Sequence, residues 1–251
     1  MEDTVNTPAI ILNRQEYREH DILVTVYTPI RGRLQLVARG AKKLKSKLAG
    51  HIEPLTMADI MIIRGRGHDY LGSSLTRKSY YNLRLDLNKL YFAGQVAGIY
   101  LRLTEESSDE SDLFSLLTEW LDYVNSYSVD KELDKDKGNL LLSAFIFRFL
   151  SQIGNRPEMN FCVACRRVIT SGGNFFDFSS GGLICEPCFK HLTLLGGVRL
   201  GQKVPISDNS IKAIRFIIDS QLPEALRLSG DKKTAKELLN LASRFLDFVR
   251  F

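Results

Sequence analysis

The sequence lacks the short motifs that mark many nucleotide-dependent and hydrolytic enzymes. It contains no G-x-x-x-x-G-K-[ST] phosphate-binding loop and no G-x-S-x-G nucleophile motif. Gly65, Gly67 and Gly72 do not form a dinucleotide-binding fingerprint. The histidines of the N-terminal region do not have the spacing of metal ligands or of a nucleophile's partner. We therefore predict that the protein is not an enzyme. The alternative is a hydrolase or nuclease whose site carries no recognisable motif.

Long apolar segments are also missing. No run approaches the ~18 apolar residues that cross a bilayer, so no membrane partner is predicted. The start, Met1-Glu2-Asp3-Thr4, is acidic and does not have the apolar segment of a signal peptide. With 44% apolar and 25% charged residues, the composition is that of an ordinary globular protein. Because cysteines spaced for a metal are typical of reducing compartments, we expect a cytoplasmic protein.

Cysteine is scarce, but its spacing is informative. The chain has four cysteines, arranged C-x2-C-x19-C-x2-C, with Gly172-Gly173 and Gly181-Gly182 as turns between the pairs. Two such pairs joined by a hairpin place four thiolates around one tetrahedral metal, with no position left for a catalytic water. We predict one structural Zn²⁺. Two disulfides or four unconnected thiols are the alternatives, and His191 is an alternative ligand. The predicted ligands are Cys162, Cys165, Cys185 and Cys188.

The net charge of +5 is unevenly distributed. Residues 1–80 contain 13 Lys/Arg and 8 Asp/Glu, residues 81–160 contain 8 and 13, and residues 161–251 contain 13 and 8. An acidic middle therefore separates two basic ends. This distribution suits a nucleic acid held at one end and a protein bound at another part of the chain.

The N-terminal region has the pattern of short strands. Segment 22–28 is rich in β-branched and aromatic residues, and segment 33–39 alternates with a period of two. Runs at 10–12, 58–63 and 70–76 complete about five strands in some 70 residues. A small closed barrel would leave no exposed sheet edge, so we predict an OB-fold-like barrel over residues 1–80.

Helical periodicity replaces this pattern from residue 81 onward. Apolar residues recur on one face over 83–103, 113–123, 140–153 and 238–249. We therefore predict an α+β multidomain protein, with a helical domain over 81–251 that carries the cysteine module at about 160–190.

A basic run crosses the predicted barrel. Between residues 31 and 47 there are seven basic residues and no acidic one, a density that suits a phosphate-binding loop on a barrel face. Tyr17, Tyr27 and Tyr70 are candidates for stacking on bases. The alternative is a solvated charged loop without a ligand. The candidate DNA contacts are Arg31, Arg33, Arg39, Lys42, Lys43, Lys45 and Lys47.

Several segments occur in a characteristic order along the first 55 residues. They are Ala9-Ile10-Ile11-Leu12, Tyr17 to Leu23, Tyr27-Thr28-Pro29, Gly32-Arg33-Leu34, Val37 to Lys43 and Leu48 to Leu55. Together with the cysteines, these segments resemble the bacterial recombination mediator family RecO. The resemblance is specific over about residues 9–55 and 162–188, and elsewhere it is one of pattern.

The resemblance implies an N-terminal OB-fold, a helical C-terminal domain and, as in many members, a zinc module. It implies a nucleoid-associated protein that binds single- and double-stranded DNA, anneals complementary strands without nucleotide hydrolysis and helps to load RecA. The implied protein partners are RecR, sometimes RecF, and the C-terminal tail of single-strand binding protein. Among the basic residues, Arg33, Arg39, Lys42 and Lys43 match the family's basic strand and loop. An adaptor that binds RNA is the alternative function.

Overall fold

A computed structural model describes residues 4–127, 132–194 and 202–249. The chain divides into two compact units, Met1–Leu133 and Asp134–Phe251. Among the described helices, none is both long enough and apolar enough to span a membrane. The predicted boundary near residue 80 marks the change from strands to helices, and as a domain boundary it stays a prediction.

The first unit begins with a closed five-stranded barrel. Its strands are β1 (Thr4–Glu16), β2 (Ile22–Thr28), β3 (Gly32–Ala38), β4 (Met57–Ile63) and β5 (Asp69–Lys78). They follow the order β1-β2-β3-β5-β4, and β4 pairs again with β1. All pairs are antiparallel except β3–β5, in which Val37 lies opposite Tyr70. The predicted barrel is confirmed.

Strand β1 closes the barrel because it pairs with two neighbours. Its first half pairs with β4 and its second half with β2, and the register shifts between Ile11 and Asn13. Such a bulge bends a strand, which a five-stranded barrel requires. Alternate side chains point inward and form a core of aliphatic residues that includes Val24, Leu36 and Ile62. Burial of these side chains is the main source of the barrel's stability.

Three helices complete the first unit. They are α1 (Tyr81–Arg84), α2 (Leu87–Leu103) and α3 (Ser111–Ser126). The predicted helix over 83–103 is interrupted because Asp86 is extended and caps α2, where its side chain accepts hydrogen bonds from the N–H groups of Asn88 and Lys89. The buried side chains of α3 include Trp120, the single tryptophan of the chain.

The described part of the second unit contains five α-helices, the first of which is buried at its centre. They are α4 (Lys135–Gln152), α5 (Glu186–Leu194), α6 (Asp208–Asp219), α7 (Leu222–Ala225) and α8 (Lys232–Phe248). Helix α4 packs against α6, α7 and α8 and buries Phe145, Phe147 and Phe149. It begins five residues before the predicted start at Leu140, because Asp134 caps a polar first turn that has no apolar periodicity.

The cysteine module contains the only sheet in the described part of the second unit. Strands β6 (Phe175–Asp177), β7 (Gly182–Ile184) and β8 (Lys203–Pro205) pair in the order β7-β6-β8. Phe176 is fully buried against Phe178 and against Phe245 of α8. The predicted helical domain with an inserted cysteine module is therefore confirmed as an arrangement of the chain.

Candidate metal centre and nucleic-acid interface

The four cysteines converge on one point. Their sulfur atoms all lie within 4.8 Å of one another, and the Sγ atoms of Cys165 and Cys185 are 3.9 Å apart. All four thiols are free, which argues against the two-disulfide alternative. The first pair lies on a tight turn in which Arg166 adopts a φ of +60° and donates its N–H to the carbonyl oxygen of Cys162. The second pair lies at the start of α5, with Cys188 in its first turn.

The thiols compete with one another for ionisation. Burial by itself raises the pKa of Cys162. Hydrogen bonds from the backbone N–H groups of Cys165, Cys185 and Ala164 outweigh this effect and lower the pKa to about 6. Burial and the neighbouring thiols raise the pKa of Cys188 to about 12, and the pKa of Cys185 is also raised. The surroundings therefore favour one thiolate, and a cation is needed to hold four thiolates together.

The geometry of this cluster fits a tetrahedral metal. Metal–sulfur bonds of about 2.3 Å place the sulfur atoms of a tetrahedron about 3.8 Å apart, close to the 3.9 Å between Cys165 and Cys185. A soft, closed set of four sulfur ligands is typical of structural zinc sites. The four cysteines could therefore hold one metal ion. His191 lies outside this group, on the exposed side of α5.

The basic run divides into an exposed loop and a segment whose side chains contact other residues of the first unit. The exposed part is a loop over residues 39–47. Gly40 has a φ of +64° and donates its N–H to Asp21 Oδ1 at 2.8 Å, and Lys42 donates its N–H to the carbonyl oxygen of His20 at 3.0 Å. Buried Ala41 anchors the same turn in the barrel core. These contacts fix the backbone while the basic side chains face solvent. The exposed side chains are Arg39, Lys42, Lys43, Lys45 and Lys47.

Few acidic groups balance this loop. Lys42 lies 3.2 Å from a carboxylate oxygen of Glu16, which is itself exposed. Within the described residues, Arg39, Lys43, Lys45 and Lys47 have no carboxylate partner. The positive potential of the loop is therefore available to an anionic ligand.

Arg31 has a different environment. Its side chain is 17% exposed, and its guanidinium lies 2.9 Å from Asp69 and forms a second ion pair with Glu106, in the connection between α2 and α3. Burial lowers the pKa of Arg31, but the hydrogen bonds and charges of Glu106 and Asp69 raise it more. Arg31 therefore already has two carboxylate partners inside the first unit.

Arg33 also contacts the connection between α2 and α3. Its Nε donates to the carbonyl oxygen of Thr104 at 2.6 Å. Its backbone N–H donates to the carbonyl oxygen of Glu105 at 3.0 Å. Nearby, the Tyr27 hydroxyl donates to Glu110 at 2.8 Å from a fully buried position. Burial, with the hydrogen bond and charge of Glu110, raises the pKa of Tyr27 well above 10. We call these contacts of residues 27–33 with residues 104–110 the junction. Tyr27 is thus inaccessible to a base, whereas Tyr17 is exposed.

Sequence reasoning identified Tyr17 but missed Arg18 and His68, which lie in two turns next to the loop. In the β1–β2 turn, the Arg18 guanidinium lies 4.9 Å from the ring centroid of Tyr17. The Tyr17 ring meets His68 of the β4–β5 turn edge-on at 6.1 Å, and its hydroxyl lies 3.4 Å from His68 Nε2. The available signal was the density of Arg64, Arg66 and His68 among glycines.

Tyr70, at the start of β5, lies under a residue of the exposed loop. The Arg39 guanidinium is 4.0 Å from the centre of the Tyr70 ring, a cation–π distance. The parallel pairing of β3 with β5 brings the two side chains together, because Val37 lies opposite Tyr70. Aromatic and basic groups from three separate segments thus lie on the barrel near the loop.

Comparison with known proteins agrees with this architecture. The family model described as Recombination protein O N terminal matches residues 1–80, and that described as Recombination protein O C terminal matches residues 84–249. The chain belongs to the RecO family. The two models divide at the end of the barrel strands, so the family covers both the barrel and the unit with the cysteine cluster.

Curated relatives match along most of the chain. A protein of Roseiflexus sp. (strain RS-1) is 33% identical over 99% of this chain and 82% of its own length. One of Dehalococcoides mccartyi (strain ATCC BAA-2266 / KCTC 15142 / 195) is 29% identical over 92% of this chain and 85% of its own length. One of Clostridium perfringens (strain 13 / Type A) is 25% identical over 98% of this chain and 92% of its own length. All three relatives are named DNA repair protein RecO.

Proposed function

We propose that this protein is a DNA repair mediator that binds DNA through the barrel and anneals complementary single strands without nucleotide hydrolysis. The observation that carries the proposal is the loop over residues 39–47, whose basic side chains are exposed on a fixed backbone. Membership of the RecO family and the names of its relatives support the role in repair.

Annealing requires that two phosphate backbones approach each other. The backbones repel, and a cationic surface reduces this repulsion as it displaces condensed counterions. The exposed loop supplies such a surface without covalent chemistry. Because counterion release weakens as salt rises, annealing by this mechanism decreases steeply with ionic strength.

We assign the DNA contacts to Arg39, Lys42, Lys43, Lys45 and Lys47. Arg31 and Arg33 belong to the sequence-predicted set, but their side chains already contact the junction. Moving either guanidinium to a phosphate would break hydrogen bonds inside the first unit. We therefore propose that these two arginines hold the barrel against its helices and contribute little to DNA affinity.

We propose further that the cysteine cluster holds one Zn²⁺ through Cys162, Cys165, Cys185 and Cys188. A bound Zn²⁺ would cross-link the turn of the first pair to the start of α5. Because β6, β7 and β8 have three residues each, the module has few other elements to stabilise it. Metal analysis of protein purified without chelator should give one zinc per chain, and Cys162→Ser with Cys165→Ser should abolish it. A zinc content near zero in the unaltered protein would contradict this assignment.

The protein partners expected are RecR, the C-terminal tail of single-strand binding protein and, in some settings, RecF, with RecA loading as the outcome in the bacterial cytoplasm. These expectations come from the family resemblance. Pull-down of purified RecR and of a synthetic tail peptide by the full chain tests them directly.

The annealing assay tests the central proposal. Two complementary labelled oligonucleotides are mixed with the protein, without ATP, across a salt series. Unaltered protein should accelerate annealing at low salt and lose the effect as salt rises. Lys42→Glu with Lys43→Glu should remove most of the acceleration.

A matched control has the same change in charge at another place. Lys232→Glu with Lys233→Glu alters two exposed lysines at the start of α8 in the second unit and should leave annealing intact. Equal losses in the two double variants would show that net charge alone matters, and the loop assignment would fail. Cleavage of the labelled strands with added Mg²⁺ would instead support the nuclease alternative.

A further inference from the structure

The first unit has aromatic side chains beside the basic loop that phosphate binding does not use. Tyr17 and His68 come from two turns that meet edge-on, and Tyr70 lies beneath Arg39. Arg18, Arg39 and His68 are exposed, and Tyr17 is 36% exposed. Aromatic and basic side chains on a barrel face suit unpaired bases, because every base offers a flat π-face.

The guanidinium of Arg39 is held in place from below. Its Cζ atom lies over the Tyr70 ring, 4.0 Å from the ring centroid, and the side chain is exposed. Tyr70 in turn has little freedom to move. A Cβ on Gly65 would lie 2.8 Å from its ring and 2.3 Å from the carbonyl oxygen of His68, so the β4–β5 turn packs closely around it. The contact of Arg39 with Tyr70 is therefore already formed without a ligand, beside a closely packed turn.

A planar guanidinium differs from an ammonium in one respect that matters here. Both attract phosphate, but the guanidinium is flat and weakly hydrated and stacks on aromatic faces. In a duplex the base faces are covered by neighbouring base pairs. In a single strand they are accessible and can stack on aromatic or guanidinium planes.

We propose that Arg39, supported by Tyr70, is a stacking residue for an unpaired base and makes the barrel bind single strands more tightly than duplex. Arg18, supported by Tyr17, is the second such residue. The inference rests on the proposed function and adds to it a division of labour. The lysines of the loop neutralise phosphates on any nucleic acid, whereas the two arginine–tyrosine stacks recognise base faces.

The substitution Arg39→Lys separates stacking from charge, because it keeps the positive charge and removes the plane. We expect affinity for a 20-nucleotide single strand to fall about tenfold, the loss of one stacked base. Affinity for the matching duplex at the same salt should change less than twofold. The salt dependence of single-strand binding should stay as in the unaltered protein, since no charge is lost.

A fluorescent base provides a second readout. In a strand that contains 2-aminopurine, binding to the unaltered protein should change the fluorescence of that base through stacking. Arg39→Lys at saturating protein should give a smaller change. Tyr70→Leu, which removes the support and not the arginine, should reduce single-strand affinity about threefold, with thermal melting used to check that the variant folds.

Arg66→Lys is the matched control. Arg66 is an exposed arginine of the adjacent β4–β5 turn, and within the described residues it has no aromatic partner. It should leave both affinities unchanged. Equal losses for single strand and duplex in Arg39→Lys would assign Arg39 to phosphate binding, and no loss in either would remove it from the interface. Either result overturns the inference but leaves the proposed function standing. Absence of DNA binding by the unaltered protein contradicts the proposed function itself.

Discussion

Arg31 and Arg39 are eight positions apart in one basic run, yet the fold gives them opposite surroundings. Arg31 is largely buried between Asp69 and Glu106, whereas Arg39 is exposed and rests on an aromatic ring. The same residue type thus stabilises the fold at one position and remains available to a ligand at the other. The comparison shows that basic density in a sequence measures charge, while the acidic neighbours supplied by the fold decide which charges can bind.

The largest effect is expected where a charge pair is most deeply buried. In the second unit, Lys203 lies 3.0 Å from Asp177, with side-chain exposures of 6% and 4%. Lys203→Met leaves the carboxylate of Asp177 buried with only serine donors, which should cost about 3 kcal/mol of unfolding free energy. Urea unfolding followed by circular dichroism measures it. A loss below about 1 kcal/mol would show that burial does not set the strength of such pairs here.

The same pair predicts a pH dependence. Burial by itself raises the pKa of Asp177. Hydrogen bonds from Ser179, Lys203 and Ser180, together with the charge of Lys203, outweigh this effect and lower the pKa below its ordinary value of 3.8. A carboxyl group whose pKa is lowered in the folded state stabilises the fold at pH values above 3.8. This stability is lost as pH falls below 3.8 and through the lowered pKa. The stability difference between the unaltered protein and Lys203→Met should therefore shrink as pH falls below 3.8, because acid protonates Asp177 and removes the ion pair from the unaltered protein. Urea unfolding of both proteins at several pH values measures it.

Arg31→Ala tests the comparison at the junction. It removes the partner of Asp69 and Glu106, and we expect a loss of about 1–2 kcal/mol in the stability of the first unit, because Glu106 is partly screened by solvent. DNA affinity, measured where the variant is folded, should change less than twofold. A tenfold loss of affinity without a loss of stability would place Arg31 in the DNA interface and contradict the contrast drawn between Arg31 and Arg39.

Glu106→Gln is expected to have the smallest effect. The glutamine keeps a hydrogen-bond acceptor for Arg31 and removes only the charge of a side chain that is 58% exposed. The expected cost is about 0.5 kcal/mol, typical of an exposed ion pair. Thermal melting beside Arg31→Ala gives the ranking, and a larger effect for Glu106→Gln than for Arg31→Ala would contradict it.

Much of the fold could be predicted because it depends on local patterns. The alternation in segment 33–39 and the β-branched residues of 22–28 identify β3 and β2, and the cysteine spacing identifies the cluster. The length of β1 was not predictable in this way. Its ends, Thr4 and Glu16, are polar and gain their strand pairing from β4 and β2, so apolar periodicity marks only its middle.

The candidate site was predictable in its charges but not in its accessibility. Arg31 and Glu106 are 75 positions apart in the chain, and no local pattern connects them. Likewise the sequence does not distinguish Tyr17 from Tyr27 as a stacking residue. The structure does, because the Tyr27 hydroxyl is bound to Glu110. Long-range pairing with the connection between α2 and α3 therefore divides the basic run.

The most direct test of the account is the salt dependence of single-strand affinity in the unaltered protein and in Lys42→Glu with Lys43→Glu. Removing two phosphate contacts should reduce the slope of log affinity against log salt by about 1.4 and lower affinity about 25-fold at 0.1 M salt, while stability stays the same. An unchanged slope and affinity would show that residues 39–47 do not contact the phosphates, and the central claim would fail.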